Sequence, residues 1–158
     1  MEKIWKEVKK IDFTTCEELL KEFKKNNFKI SPWIEDIVKK NKYKFANNKF
    51  PIKLVRKYVK DLGFSAPVEL QMIYKKIEEL GYSLVPPEIA IYSRSLYKDQ
   101  PTGEWLRFAT PLNSMIDSDG VPHLPKIGKA LGFYFIETYW SYPKAIFHPH
   151  NDFIMVIK

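Results

Sequence analysis

Apolar residues recur at helical spacing through the first half of the chain and at strand spacing through much of the second. In CEELLKEFKK, Thr14 and Thr15 precede Glu17 and Glu18 in a capping-box arrangement, and Asn26-Asn27 follows as a stop. Ser31-Pro32, an N-cap and a first-turn proline, predicts a second helix through WIEDIVKKN. KYKFANNKF reads as a polar loop. Pro51 then opens PIKLVRKYVKDL, where Ile52, Val55, Val59 and Leu62 predict a third helix closed by Gly63. Pro67 opens VELQMIYKKIEEL, with Leu70, Ile73, Ile77 and Leu80 on one face and Gly81 after it.

The pattern changes near Ser83. Pro86-Pro87 predicts extended backbone. From Glu104 to Thr110 the alternation predicts a strand, with Trp105, Arg107 and Ala109 on one face and Leu106 and Phe108 on the other. Asp117-Ser118-Asp119-Gly120 predicts a turn. Val121 to Lys129, interrupted by two prolines, predicts a weak edge strand. FYFIETYW and FIMVIK predict the last two strands. The expectation is an α+β fold with N-terminal helices packed on a small C-terminal antiparallel β-meander. Residues 1–50 read as a helical N-terminal region, a candidate appendage. Residues 51–158 read as an α+β domain of two helices, then three to four antiparallel strands.

Composition narrows the class. A chain of 158 residues, 45% apolar and 15% aromatic, can bury a core and does not read as disordered. Its one cysteine, Cys16, cannot form an internal disulfide, and MEKIWKEVKKID lacks the apolar run of a signal peptide. No stretch approaches the roughly 20 apolar residues of a membrane span. A cytoplasmic protein with no membrane partner is the expectation.

Charge is unevenly placed. Residues 1–80 carry 19 Lys+Arg against 12 Asp+Glu, whereas residues 81–158 carry 7 of each. Nine basic residues and no acid lie between Lys39 and Lys60. That segment supports a nucleic-acid reading through Lys39, Lys40, Lys42, Lys44, Lys49, Lys53, Arg56 and Lys57. Only Arg56 among them is an arginine, the residue suited to base edges and bidentate phosphate contacts, which weakens that reading.

The segment PPEIAIYSRSLYKDQPTGEWLRFATPLNSMIDSDGVPH supplies a more specific pattern. Pro86, Pro87, Glu88, Arg94, Tyr97, Gln100, Pro101, Gly103, Glu104, Trp105 and Asp117 to Gly120 carry it. It resembles a family of small uncharacterised proteins of bacteria, candidate-phylum genomes and phages, and the similarity spans roughly residues 52–158. The resemblance implies an accessory factor of a phage or mobile element and brings no catalytic residue with it. Some members are labelled helicases, but the chain has no G-x-x-x-x-G-K-[ST] phosphate loop. After Pro122 the chain departs from the family pattern, as it does at His148-Pro149-His150.

Within this segment Glu88, Arg94, Tyr97, Gln100 and Glu104 form the candidate ligand-binding set, because an arginine among carboxylates and tyrosines can recognise a phosphate or carboxylate. The leading expectation is a non-enzymatic binding protein for a partner protein or a small anionic ligand. A small hydrolase or transferase using Glu88, Arg94 and Glu104 is the enzymatic alternative, and it requires those side chains to converge. Other candidates carry less. Asp117-Ser118-Asp119-Gly120 begins like a calcium loop, but Gly128 stands where the bidentate glutamate belongs. His148, His150 and Asp152 alternate onto one face of a strand without completing a recognisable zinc set. Cys16 has no histidine partner in the first 122 residues. Helices 52–62 and 68–80 form a possible helix-turn-helix whose second helix is too acidic for phosphate. Phe133, Tyr134, Phe135, Tyr139, Trp140 and Tyr142 put aromatic rings on both faces of one strand, for a core on one side and a partner or a stacked base on the other. Nothing in the pattern requires a cofactor or a metal.

Overall fold

The computed structural model describes residues 2–158. Ten strands and four α-helices follow one another along the chain. They are β1 (Lys6–Val8), α1 (Cys16–Lys25), β2 (Lys29–Ile30), α2 (Pro32–Asn41), β3 (Ile52–Tyr58), β4 (Val68–Glu69), α3 (Leu70–Glu79), β5 (Tyr82–Ser83), α4 (Pro87–Tyr92), β6 (Trp105–Phe108), β7 (His123–Ala130), β8 (Phe133–Trp140), β9 (Ile146–Phe147) and β10 (Asp152–Ile157). Seven strands form one mixed sheet in the order β1-β3-β10-β6-β7-β8-β2, β5 pairs with the end of β10, and β4 and β9 form a separate ribbon. Most neighbours are antiparallel, but β10 runs parallel to β6, and β8 to β2.

A large mixed, curled sheet replaces the expected C-terminal meander. The first 50 residues supply β1, β2, α1 and α2, and the side chains of these elements share one core with Leu106, Ile127, Ile136 and Ile154 of the central strands. The helices themselves start where the caps place them. Thr15 Oγ1 accepts the Glu18 N–H at 3.3 Å, and the Glu18 carboxylate accepts the Thr14 N–H at 3.1 Å. Ser31 Oγ accepts the Trp33 N–H at 3.1 Å at the start of α2.

The main error of periodicity falls on PIKLVRKYVKDL. Residues 52–58 are strand β3, and only Val59–Leu62 winds into a 3-10 turn. β3 lies between β1 and β10, so Ile52 and Leu54 are buried on one face and Val55 on the other. Burial on both faces mimics helical spacing, while the β-branched content favours the strand. The proposed helix-turn-helix therefore lacks its first helix. Two further expectations are corrected. Pro87 occupies the first turn of α4, where a proline is favoured and extended backbone was expected. Val121 to Lys129 is not at an edge: β7 is the central partner of both β6 and β8. Pro125 is tolerated there because β6 pairs only with Lys126, Ile127 and Gly128, so no ladder bond needs its missing N–H.

The two faces of the sheet are covered unequally. Leu54, Leu106, Phe108, Ile127, Ile136 and Ile154 pack beneath α1, α2 and α4. On the opposite face Val55, Leu124, Phe153 and Met155 pack against Leu70, Ile73 and Ile77 of α3 and Phe147 of β9. Beyond that cover, the β6–β7–β8 side of this second face carries Trp105, Lys126, Phe135 and Glu137, all only partly buried, and the exposed Phe133.

Candidate functional site

The three arginines of the chain lie close to the sheet in three different environments. Arg94, in the 3-10 turn Ser93–Ser95 after α4, is fully buried beneath the first face. Its Nη1 donates to Gln100 Oε1 at 2.7 Å and to the carbonyls of Gly128 and Phe135 at 2.9 and 3.2 Å. Its Nη2 donates to the Tyr97 carbonyl at 2.6 Å. The guanidinium also lies 4.9 Å from the centre of the Tyr134 ring. No carboxylate salt-bridges it among the described residues, and burial pushes its pKa down to about 10. Gln100 extends the network, donating to the carbonyls of Glu104 and Ile127 at 3.1 Å each. Arg94 and Gln100 thus tie the α4–β6 connection to β7 and β8.

Glu88 is not part of that network. It stands in the first turn of α4 and accepts from Asn48 Nδ2 at 3.2 Å. Of the five residues expected to bind ligand, Arg94, Tyr97 and Gln100 form a buried scaffold, Glu88 lies apart, and Glu104 alone faces a cleft. The convergence of Glu88, Arg94 and Glu104 that the enzymatic reading requires does not occur.

That cleft is a notch of about 350 Å³ lined by Arg56, Tyr58, Glu104, Trp105, Arg107, His150 and Asp152, among others. It follows from the strand pairing. The parallel β10 and β6 pair only through Phe153 with Arg107 and Ile154 with Phe108, so their N-terminal ends splay apart. Arg56 closes one side: its Nε donates to Asp152 Oδ2 at 2.6 Å, its Nη2 lies 3.1 Å from Glu104 Oε2, and its Nη1 donates to the Tyr97 hydroxyl at 3.1 Å. Burial opposes the Arg56 charge, but the hydrogen bonds and charges of Asp152 and Glu104 outweigh it and raise its pKa above the ordinary value. Burial is also the main reason that Asp152 sits above its ordinary pKa, with Arg56 opposing the shift.

Arg107 has no such partner. Its guanidinium lies beside the packed rings of Tyr139 and Phe147, 5.5 and 5.6 Å from their centres, which are 5.2 Å apart. Among the described residues it salt-bridges no carboxylate, and its buried Nε has no hydrogen-bond partner. Burial lowers its pKa, and the nearby Asp152 charge opposes the shift without overcoming it. In the adjacent strand Lys126 pairs in register with Arg107, and its Nζ lies 4.9 Å from the centre of the Trp105 ring. Burial lowers the Lys126 pKa as well, and the nearby Arg107 charge adds to the shift while Glu137 opposes it. Trp105 lies flat because its register partner is Gly128: a Cβ at that position would stand 2.4 Å from Trp105 Cε3. The Phe135 ring follows at 6.0 Å.

The sequence put Trp105 and Arg107 on one strand face but did not mark them as a site. The alternation was the available signal. What it lacked was that Asp152, the acid near Arg107, is held by Arg56, which depends on strands distant in sequence. A second grouping was also missed. Asp117 Oδ2 lies 2.8 Å from His123 Nε2, and His123 Nδ1 lies 2.9 Å from Thr138 Oγ1. The His123 hydrogen bond, with the Val121 and Asp119 N–H groups, holds the Asp117 pKa below its ordinary value, so the predicted turn is pinned to β7. Trp33 and Trp140 stack near His123, at 5.6 and 5.3 Å.

The other candidates scatter. Lys39, Lys40, Lys42, Lys44 and Lys49 follow the end of α2 and the loop after it, with Lys40 Nζ donating to the Asp117 carbonyl at 2.9 Å. Lys53 and Lys57 lie on the sheet face opposite Arg56, and Lys57 is 2.7 Å from Glu2. The basic run is therefore split between faces and partly neutralised. His148 and His150 stack on each other at 5.6 Å, but β10 begins only at Asp152, whose carboxylate serves Arg56. Cys16 is buried, and desolvation raises its thiol pKa far above the ordinary value. No helix among the described residues is long and apolar enough to cross a membrane. Comparison with protein-family models, with curated proteins and with solved structures yields no match.

Proposed function

We propose that the chain is a non-enzymatic binding protein that holds a small anionic ligand in the notch between β6 and β10, with Arg107 as the anchor. One observation carries this reading: Arg107 is a largely buried cation beside two aromatic rings, and among the described residues no carboxylate reaches it in a salt bridge or hydrogen bond. Burying an unpaired charge is unfavourable, and an incoming anion would relieve that penalty while making charge-assisted hydrogen bonds. The two carboxylates of the notch support binding rather than acid–base chemistry, because Glu104 and Asp152 are both engaged by Arg56. The site differs from the one suggested by the Glu88–Glu104 segment and shares only Glu104 with it.

The test is thermal unfolding with inorganic phosphate, titrated at constant ionic strength into the native protein and Arg107→Met. Methionine keeps an apolar filler beside the rings and removes the charge. A phosphate-dependent rise in Tm for the native protein that is absent from the variant is the expected result. Equal response of both proteins, or no response at tens of millimolar phosphate, would overturn the proposal.

A further inference from the structure

We infer that the anion held at Arg107 belongs to a nucleoside phosphate, bound with its base against Trp105. This inference rests on the anion-binding reading above and adds the ligand class. The side chains around Arg107 offer two kinds of recognition at once. Trp105, lying over Gly128 beside Phe135, presents a flat aromatic platform at the margin of the notch. Stacking on such a platform suits any nucleobase, because every base has a π-face. Lys126 and Arg107 occupy the next register row, so two cations stand beside that platform, with Glu137 and Asp152 near them but in no salt bridge to them among the described residues. Glu104, on the other side, is held by Arg56 and lies beside the Tyr97 hydroxyl, so it belongs to the wall of the notch. A nucleoside phosphate supplies a ring and a phosphate, matching the platform and the cations in turn. A simple anion would leave Trp105 unused.

The same chemistry arises from a free nucleotide or from one residue of a single strand. Competition calorimetry on the full chain, using phosphate, ribose 5-phosphate, AMP and a short single-stranded oligoadenylate, separates the two sources. AMP should bind about tenfold tighter than ribose 5-phosphate, the scale of one stacked base. Trp105→Leu should remove that advantage and leave phosphate binding intact, Trp105→Phe should retain part of it, and Arg107→Met should abolish all binding. An oligonucleotide tighter than AMP would identify a single strand as the source, and the reverse a free nucleotide. If phosphate, ribose 5-phosphate and AMP bind equally, and Trp105→Leu changes none of them, the base-recognition inference fails while the anion site stands. If none of the probes binds the native protein, both fail. Because Trp105→Leu could disturb packing on Gly128, its phosphate affinity serves as the check that the notch is intact.

Discussion

Arg94 and Arg107 share the same sheet and are held in opposite ways. Arg94 is enclosed beneath the first face, where carbonyls and an amide meet its guanidinium. Arg107 stands on the second face beside two rings, and among the described residues its guanidinium makes no hydrogen bond or salt bridge. The buried Nε of each lacks a hydrogen-bond partner, so the difference lies at the terminal nitrogens. Those of Arg94 are held by the protein and serve the fold, whereas among the described residues those of Arg107 have no hydrogen bond. Polar residues crowded into a short motif therefore mark the scaffold here, and terminal nitrogens without acceptors mark the site. Arg56 stands between the two cases, fully engaged but by carboxylates that line the notch.

The largest expected effect tests the closed half of this comparison. Arg94→Met should destabilise the protein by about 3–5 kcal/mol in urea unfolding, because Gln100 and several buried carbonyls lose their donor. Arg107→Met should change stability by less than about 1 kcal/mol, since no hydrogen bond is lost. Similar losses for both variants would erase the distinction between scaffold and site.

Gly128→Ala sharpens the open half. With its Cβ 2.4 Å from the indole, the substitution must displace Trp105, at a cost of about 1–3 kcal/mol. A shift in tryptophan emission should accompany the loss of stability. Unchanged emission and stability would mean that Trp105 does not rest on the glycine.

The smallest effect concerns pH. Burial raises Asp152 above its ordinary value of 3.8, so the folded state holds that proton more tightly than the unfolded state does. The resulting stabilisation is fully present below the unfolded pKa and is lost as pH rises through the folded pKa. Asp152→Asn should flatten this part of the pH–stability profile, whereas Arg94, titrating near 10, leaves it unchanged. A profile identical in native and Asp152→Asn protein over the acid range would remove Asp152 as its source.

Much of the local structure was legible in the chain. Thr15 and Ser31 marked two helix starts, Gly63 and Gly81 marked two ends, and the Asp117–Gly120 turn stands as read. These signals are local, since a cap or a positive φ is satisfied within a few residues. β3 was misread because a strand buried on both faces does not alternate. The candidate site was half legible. Glu104, Trp105 and Arg107 were visible as neighbours on a strand, but Asp152 reaches the notch from another element, and Lys126, Tyr139 and Phe147 reach Trp105 and Arg107 from others again.

By itself, then, the sequence determined where helices are capped, where the chain turns and which side of β6 carries Trp105 and Arg107, all through interactions spanning a few residues. Only the tertiary structure decided which charges are answered. Arg56 meets Asp152 across 96 positions, Arg94 meets Gly128 across 34, and Arg107 is left beside rings, with the nearby Asp152 held by Arg56. A charge is satisfied or left open by whatever the fold brings within a few ångströms of it, and no spacing along a single strand carries that information.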